Sequence, residues 1–220
     1  MAQLFHRGAN NIAKASMAMA VVLAGVAFFV YSYAARSSYI TGQYLEKQQP
    51  VQFSHRHHVG DDGIDCRYCH STVETSAAAG VPPTQTCMNC HNQLFLDQEY
   101  LEPIRASFRD NKPIEWERVH DLPGYVYFDH SIHVAKGVGC ASCHGDVANM
   151  AAVYQQNTLQ MEWCLSCHRD PAPNIRPQSE IFNTSWKAKD ITEEQQKEVD
   201  EKISKLRSKE LLTSCSTCHR

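Results

Sequence analysis

The stretch that decides the fold reads FDHSIHV at residues 128–134, CASCH at 140–144 and CLSCH at 164–168. The same series occurs earlier, as FSHRHHV at 53–59, CRYCH at 66–70 and CMNCH at 87–91. The offsets between the two series are 75 residues for the aromatic residue, 74 for the first cysteine motif and 77 for the second. This is an internal duplication with small loop insertions. A further cysteine motif, CSTCH at 215–219, has no duplicate.

We number the cysteine motifs in chain order: motif 1 is residues 66–70, motif 2 is 87–91, motif 3 is 140–144, motif 4 is 164–168 and motif 5 is 215–219. Each has the form Cys-x-x-Cys-His, the spacing at which c-type haem is attached. Two thiols one helical turn apart can add to the haem vinyl groups, and the following histidine then binds the iron as its proximal ligand. All ten cysteines lie in these motifs.

We therefore predict five covalently bound haem c groups. The predicted thioether residues are Cys66, Cys69, Cys87, Cys90, Cys140, Cys143, Cys164, Cys167, Cys215 and Cys218, and the proximal iron ligands are His70, His91, His144, His168 and His219.

Three other uses of paired cysteines explain the pattern less well. A zinc ribbon does not need histidine directly after every second cysteine. A thioredoxin-type dithiol would not recur five times without a surrounding βαβ pattern. A disulfide framework has no requirement for adjacent histidines.

The N-terminal region predicts a membrane anchor, residues 1–36. No charged residue occurs from Ala15 to Ala35, and a helix of that length spans roughly 30 Å, enough for a bilayer core. A cleaved secretory signal usually has a shorter apolar part of about 7 to 15 residues, so we expect an uncleaved anchor. Arg7 and Lys14 precede the span, as the positive-inside rule requires, although Arg36 follows it.

Covalent haem attachment takes place outside the bacterial cytoplasmic membrane. We therefore expect a single-pass protein of the inner membrane, in contact with membrane lipid, with its haem domain in the periplasm. The net charge of −3, with acidic and basic residues mixed, gives no indication of nucleic-acid binding.

The rest of the chain divides into a polar tether (37–52), a first haem-pair repeat (53–101), a bridge (102–127), a second haem-pair repeat (128–170) and a last segment with a loop, a helix and motif 5 (171–220). We predict a short helix over 92–101, strand-like alternation within 112–127, and a helix from a capping box at Thr192 and Gln195 to about Leu212. Five haems would supply much of the apolar core. The predicted fold is therefore mostly irregular and α-helical, with little β structure.

Seven further histidines decide whether the iron sites are closed, since electron-transfer haems generally have both axial positions filled. Two of them, His6 on the membrane flank and His57 without a counterpart in the second repeat, are not expected to bind iron. The repeated Phe-x-His-x-x-His spacing instead predicts four distal ligands on two helical turns: His55, His58, His130 and His133.

Phe-[Ser/Asp]-His-x-x-His-Val followed by two Cys-x-x-Cys-His motifs resembles the cytochrome c7/c3 group. In that group the first of the paired histidines serves the first haem and the second a neighbouring one. The duplication, the C-terminal motif and the N-terminal span together resemble the pentahaem cytochrome c subunit of alternative complex III, a quinol-oxidising respiratory assembly. The segments 118–133 and 159–164 are similar to that family as well.

By this resemblance the chain is an electron-transfer subunit and not itself an enzyme. It would conduct electrons from the quinol-oxidising complex towards a periplasmic cytochrome or a terminal oxidase. The implied partners are an iron-sulfur protein, polytopic quinol-binding subunits and a monohaem cytochrome c.

Two alternatives remain open. A membrane-anchored quinol dehydrogenase of the NapC/NrfH type also has one span and four or five haems, and would oxidise quinol itself. A pentahaem nitrite-reductase-like catalyst would need one haem with an open or altered site, whereas all five motifs end in histidine.

The fifth distal ligand is the least determined residue. Met150, Met161 and His120 are the candidates. The cytochrome c7 pattern has its extra distal ligand between two cysteine motifs, where this chain has only the two methionines, so a Met/His haem is expected ahead of His120. A thioether ligand would raise the potential of that haem above its bis-histidine neighbours.

Overall fold

The computed structural model describes residues 5–219, and at residue 190 the backbone alone. Residues 1–4 of the predicted anchor and Arg220 of the last predicted segment lie outside this range. The chain divides into two compact units, residues 1–43 and residues 44–220.

The first unit is formed by helix α1, Ala9–Arg36, and a single helical turn, α2, Ser38–Thr41. None of the 28 residues of α1 is buried, and at about 1.5 Å per residue the helix is about 42 Å long. Within residues 5–219, α1 is the helix that is long and apolar enough to cross a membrane. By length and composition it suits a membrane anchor or a signal sequence.

The second unit consists of short helices joined by long irregular segments, as the sequence predicted. A π-helical turn covers Arg56–Asp61, and 3₁₀ turns lie at Glu99–Leu101, Val147–Asn149, Ala172–Asn174, Gln178–Glu180 and Ala188–Asp190. The α-helices are α3 Cys66–Cys69, α4 Thr84–His91, α5 Glu102–Asp110, α6 His130–Ala135, α7 Cys140–His144, α8 Met161–Arg169, α9 Glu193–Ser204, α10 Lys209–Leu212 and α11 Cys215–Cys218.

The predicted capping box at the start of α9 is confirmed. The Gln195 amide N–H donates to the Thr192 hydroxyl at 3.2 Å, and the Thr192 N–H donates to the Gln195 side-chain oxygen at 3.0 Å. The helix ends at Ser204, earlier than expected, and α10 follows as a separate turn capped by the Ser208 hydroxyl.

The predicted helix over 92–101 is wrong. Phe95 has a left-handed backbone, with φ of 58°, which an α-helix cannot contain. The helix begins instead at Glu102, with Pro103 in its first turn, where the missing N–H breaks no helical hydrogen bond.

The predicted strand within 112–127 is also wrong. Among residues 5–219 the structure contains two isolated antiparallel bridges, Glu46 with Tyr154 and Val138 with Ile175, and no named strand. The backbone of Glu117 pairs with the side chain of Gln49, through hydrogen bonds of 2.9 and 3.0 Å. The apolar residues of this segment, Ile114 and Trp116, pack against a small core cluster.

The second unit begins at Tyr44, so it includes the latter part of the segment predicted as a tether. The Tyr44 N–H donates to the carbonyl of Gln155 at 2.9 Å. Val51 is buried against Leu101 and Ile104. These contacts hold residues 44–52 against the haem-motif region of the chain.

The buried apolar core of the second unit is small and divided. One cluster contains Val51, Leu101 and Ile104, and the other Val73, Val134 and Ile181. Cysteines of motifs 2 and 3 pack directly against these clusters. A core of this size suits a body whose interior is completed by cofactors.

We predict that Ile181→Ala destabilises the holoprotein by about 2–5 kcal/mol, because Ile181 is 0% exposed and links Val73 of the first repeat to Val134 of the second. The matched control is Ile40→Ala in the first unit, where the side chain is 60% exposed. Guanidinium unfolding followed by far-ultraviolet circular dichroism measures the difference. Equal midpoints for the two variants would contradict this role of Ile181.

Candidate haem-binding sites

The five Cys-x-x-Cys-His motifs all begin or lie in short helices. Motifs 1, 3 and 5 start α3, α7 and α11, while motifs 2 and 4 lie at the C-terminal ends of α4 and α8. Helical geometry places the two thiols of each motif one turn apart on one face. All ten thiols are free of disulfide bonds. The helices therefore present each pair as haem attachment requires.

Most of the motif histidines have a fixed ring orientation. Their Nδ1 atoms lie within hydrogen-bond distance of backbone carbonyls: His70 with Gly80 at 2.7 Å, His168 with Leu212 at 2.8 Å, His219 with Tyr125 at 3.0 Å and His91 with Leu94 at 3.4 Å. Because a carbonyl only accepts, Nδ1 must carry the proton and donate. Nε2 of the neutral ring is then left with the lone pair that binds a metal.

Three of the four paired histidines show the same arrangement. Nδ1 of His58 donates to the Ser54 carbonyl at 2.9 Å, Nδ1 of His130 to the Ala77 carbonyl at 2.8 Å, and Nδ1 of His133 to the Asp129 carbonyl at 2.7 Å. The remaining one, His55, has a buried Nδ1 with no described partner. Burial, followed by the neighbouring His70 and His58, lowers the pKa of His55 to about 4.

Three motif histidines face a paired histidine at one common distance. The ring centroids of His58 and His91, of His130 and His144, and of His133 and His168 are each 6.2 Å apart. An iron held between two imidazoles separates their centroids by roughly 6 Å, because each metal–nitrogen bond is about 2 Å long. The donor set and its spacing therefore fit haem iron.

The duplication is repeated in three dimensions around one aromatic residue. Phe53 stacks on His58 at 4.4 Å with an interplanar angle of 26°, and meets His55 edge-on at 4.8 Å and 87°. Phe128 stacks on His133 at 4.6 Å and 28°, and meets His130 at 4.7 Å and 90°. The sequence showed both phenylalanines but gave them no role. They set the orientation of the two paired histidines in each repeat.

His144 of motif 3 lies at the centre of a histidine cluster. Its ring centroid is 4.4 Å from that of His120, in addition to its contact with His130. Burial, followed by His120 and His130, lowers the pKa of His144 to about 3. The imidazole is therefore neutral at physiological pH, as an iron ligand must be.

The three candidates for the fifth distal position lie in different surroundings. His120 is partly buried, its pKa is lowered by burial and then by His130, and its Nε2 is buried without a described partner. The Met161 side chain is 66% exposed, whereas Met150 is 5% exposed. Beside the imidazole of His219 lies the ring of Tyr125, with the two ring centroids 5.8 Å apart.

His57 lies outside these pairs. It is 53% exposed and faces two carboxylates, Asp61 at 3.8 Å and Asp62 at 3.5 Å. It offers a matched control for substitutions of the paired histidines.

The sequence gave no signal for Arg176, which lies in the proline-rich loop after motif 4. This residue is buried, and its guanidinium donates to the Asn183 carbonyl at 2.7 Å and stacks 5.0 Å above the Trp186 ring. It occupies the space where a Cβ of Gly139, next to Cys140, would stand. Burial lowers its pKa.

The chain is similar in sequence to known cytochromes. Residues 33–113 match the class III cytochrome c family, and residues 133–220 match the outer membrane cytochrome MtrC/MtrF-like domains II/IV. The chain is 32% identical over 146 residues to the multihaem cytochrome c subunit of the menaquinone reductase of Nitratidesulfovibrio vulgaris strain Hildenborough. That match covers 57% of this chain and 70% of the relative.

Membership of this group implies covalently bound haem c, which when bound supplies one-electron redox chemistry at each iron. The cysteine pairs, the carbonyl-anchored imidazoles and the 6.2 Å ring separations are all features that such a cofactor needs. The chain therefore belongs to the multihaem class III cytochromes c, the c3/c7-like family, and is a homologue of the multihaem cytochrome subunit of a menaquinone reductase.

Proposed function

We propose that the chain is a membrane-anchored pentahaem cytochrome c that conducts electrons within a quinone-linked respiratory complex. The observation that carries the proposal is the common 6.2 Å separation of three histidine ring pairs, each formed by a motif histidine and a paired histidine. A site with two imidazoles on the iron has no free position for a substrate. Such sites transfer electrons and do not carry out catalysis.

The proposed axial pairs follow the duplication. His91 pairs with His58, and His168 with His133, in equivalent positions of the two repeats. His144 pairs with His130, so the equivalent pair in the first repeat is His70 with His55. The carbonyl contacts of six of these rings, those other than His55 and His144, would hold Nε2 towards the iron.

His120 is our proposal for the fifth distal ligand, in preference to the methionines favoured by sequence alone. Its buried Nε2 has no described partner, and a buried polar atom without a partner costs about 1–3 kcal/mol. An iron bond removes that cost. Met161 is largely exposed, and burial of Met150 is equally well explained by apolar packing.

The complex we propose is alternative complex III, with an iron-sulfur protein, polytopic quinol-binding subunits and a monohaem cytochrome c as partners and a terminal oxidase downstream. The resemblance of the duplicated repeats, motif 5 and the N-terminal span supports this assignment. Helix α1 would be an uncleaved inner-membrane anchor with the haem domain in the periplasm. The relative is named a menaquinone reductase, which supports a quinone-linked role. The direction of electron flow depends on the haem potentials and the partners.

The first experiment separates a conducting subunit from a quinol dehydrogenase of the NapC/NrfH type. The purified chain should not be reduced by menaquinol, whereas the intact membrane complex should be, because we assign the quinol site to the partner subunits. Haem reduction followed at the α-band measures both. Rapid reduction of the isolated chain, with catalytic turnover, would favour the dehydrogenase.

The second experiment tests axial coordination. We predict that His133→Gly converts one haem of the five to a high-spin, carbon-monoxide-binding form, because the imidazole opposite His168 is lost. His57→Gln should leave every haem low-spin. Electron paramagnetic resonance and carbon monoxide difference spectra measure the change, after mass spectrometry has established the haem content. A wholly low-spin His133→Gly protein would remove His133 from the ligand set.

The third experiment concerns the fifth ligand. Near-infrared magnetic circular dichroism of the oxidised protein should show bis-histidine bands and no methionine-to-iron charge-transfer band. His120→Met should create that band, while Met150→Leu and Met161→Leu should leave the spectrum unchanged. A methionine band in the wild-type protein that disappears in either leucine variant would assign the fifth position to that methionine.

A further inference from the structure

We infer that the five motifs form one series in the order 2, 1, 3, 4, 5, and that electrons enter and leave at motifs 2 and 5. The order differs from the order along the sequence. The inference rests on the proposed function, because only haem-bearing motifs conduct. Contacts between four pairs of neighbouring motifs support the inferred order.

Motif 2 adjoins motif 1. The Asn89 side-chain amide in motif 2 donates to the Tyr68 hydroxyl in motif 1 at 3.0 Å. Phe53 contacts both His55 and His58, the histidines assigned to these two motifs.

Motif 1 also adjoins motif 3, although 70 residues of chain separate His70 from Cys140. Residues 181 and 182 join them: the Cys140 N–H donates to the Ile181 carbonyl at 3.0 Å, and the Cys66 thiol to the Phe182 carbonyl at 3.9 Å. Helix α6 of the second repeat reaches the first repeat through the 2.8 Å contact of His130 with the Ala77 carbonyl. Motif 3 is therefore the point at which the second repeat meets the first.

Motif 3 adjoins motif 4 within the second repeat. Phe128 contacts the histidines assigned to both motifs, His130 and His133. Asn174 connects the two: its carbonyl accepts from the Gly139 N–H at 3.4 Å, and its side-chain amide lies 3.5 Å from the Cys167 sulfur.

Motif 4 adjoins motif 5. His168 of motif 4 donates to the carbonyl of Leu212 at 2.8 Å, and Thr217 of motif 5 donates to that of Leu211 at 2.6 Å. Helix α10 therefore connects both motifs.

The two ends of the series are also its most accessible points. Of the ten cysteines, Cys90 in motif 2 and Cys215 in motif 5 are exposed, and the other eight are partly buried. Electron transfer between proteins needs close approach of the redox centres. A one-electron donor in one partner, an iron-sulfur or haem centre, is oxidised as the haem at one end is reduced. A one-electron acceptor of the same class is reduced at the other end, and motifs 1, 3 and 4 only pass electrons on.

The order is tested by removing one distal histidine at a time from the full-length protein. His58→Gly, His55→Gly, His130→Gly and His133→Gly each create one high-spin ferric haem, whose larger paramagnetism moves the NMR signals of adjacent haems. We expect His58→Gly to move the haem-methyl signals of its own haem and one neighbour. His55→Gly and His133→Gly should each move the signals of their own haem and two neighbours, and His130→Gly those of its own haem and at least the haems of motifs 1 and 4.

The overlaps between the sets of moved signals fix the order. The sets for His58→Gly and His130→Gly should share one haem, that of motif 1, and the sets for His58→Gly and His133→Gly should share none. Two neighbours for motif 2, or any haem shared between its set and that of motif 4, would overturn the series. Where a glycine variant loses haem, the corresponding His→Ala variant is compared in the same way.

His57→Gln is the control, and it should move no haem-methyl signal outside its immediate surroundings. Haem content by mass spectrometry separates failure of the order from failure of the proposed function. A chain without five covalent haems contradicts the function. A chain with five haems and a different neighbour pattern contradicts only the order.

Discussion

Much of this fold follows from one requirement, that an imidazole must present a deprotonated Nε2 to a metal while its Nδ1–H is held elsewhere. Seven histidines of the motifs and pairs have Nδ1 against a backbone carbonyl. Carbonyls available for this purpose cannot already be paired in a helix interior or a sheet. The long irregular segments of the second unit supply them at Gly80, Ala77 and Tyr125, and the C-terminal end of α10 supplies the carbonyl of Leu212.

The duplication gives each repeat one Phe-x-His-x-x-His turn that serves two haem motifs. The first and second histidines lie three residues apart and meet the phenylalanine at nearly the same angles in both repeats. This arrangement needs few residues per cofactor.

The small divided core is consistent with a fold that uses few residues per cofactor. Ile181, the most deeply buried side chain, belongs to neither repeat, yet it packs between residues of both and its carbonyl accepts from Cys140. Arg176, from the same proline-rich region, places a buried guanidinium beside motif 3. The segment after motif 4 therefore acts as the link that fixes motif 3 against motif 1.

The sequence by itself determined the five haem motifs, the paired histidines, the α9 capping box and the mostly helical, irregular fold, because each depends on residues a few positions apart. It failed at 92–101 and 112–127, where the left-handed Phe95 and the pairing of Glu117 with Gln49 override local pattern. Only the tertiary structure decided the stacking role of the phenylalanines, the burial of Arg176, the surroundings of His120 and the adjacency of motifs 1 and 3. Those features arise from contacts between distant segments, and no local spacing encodes them.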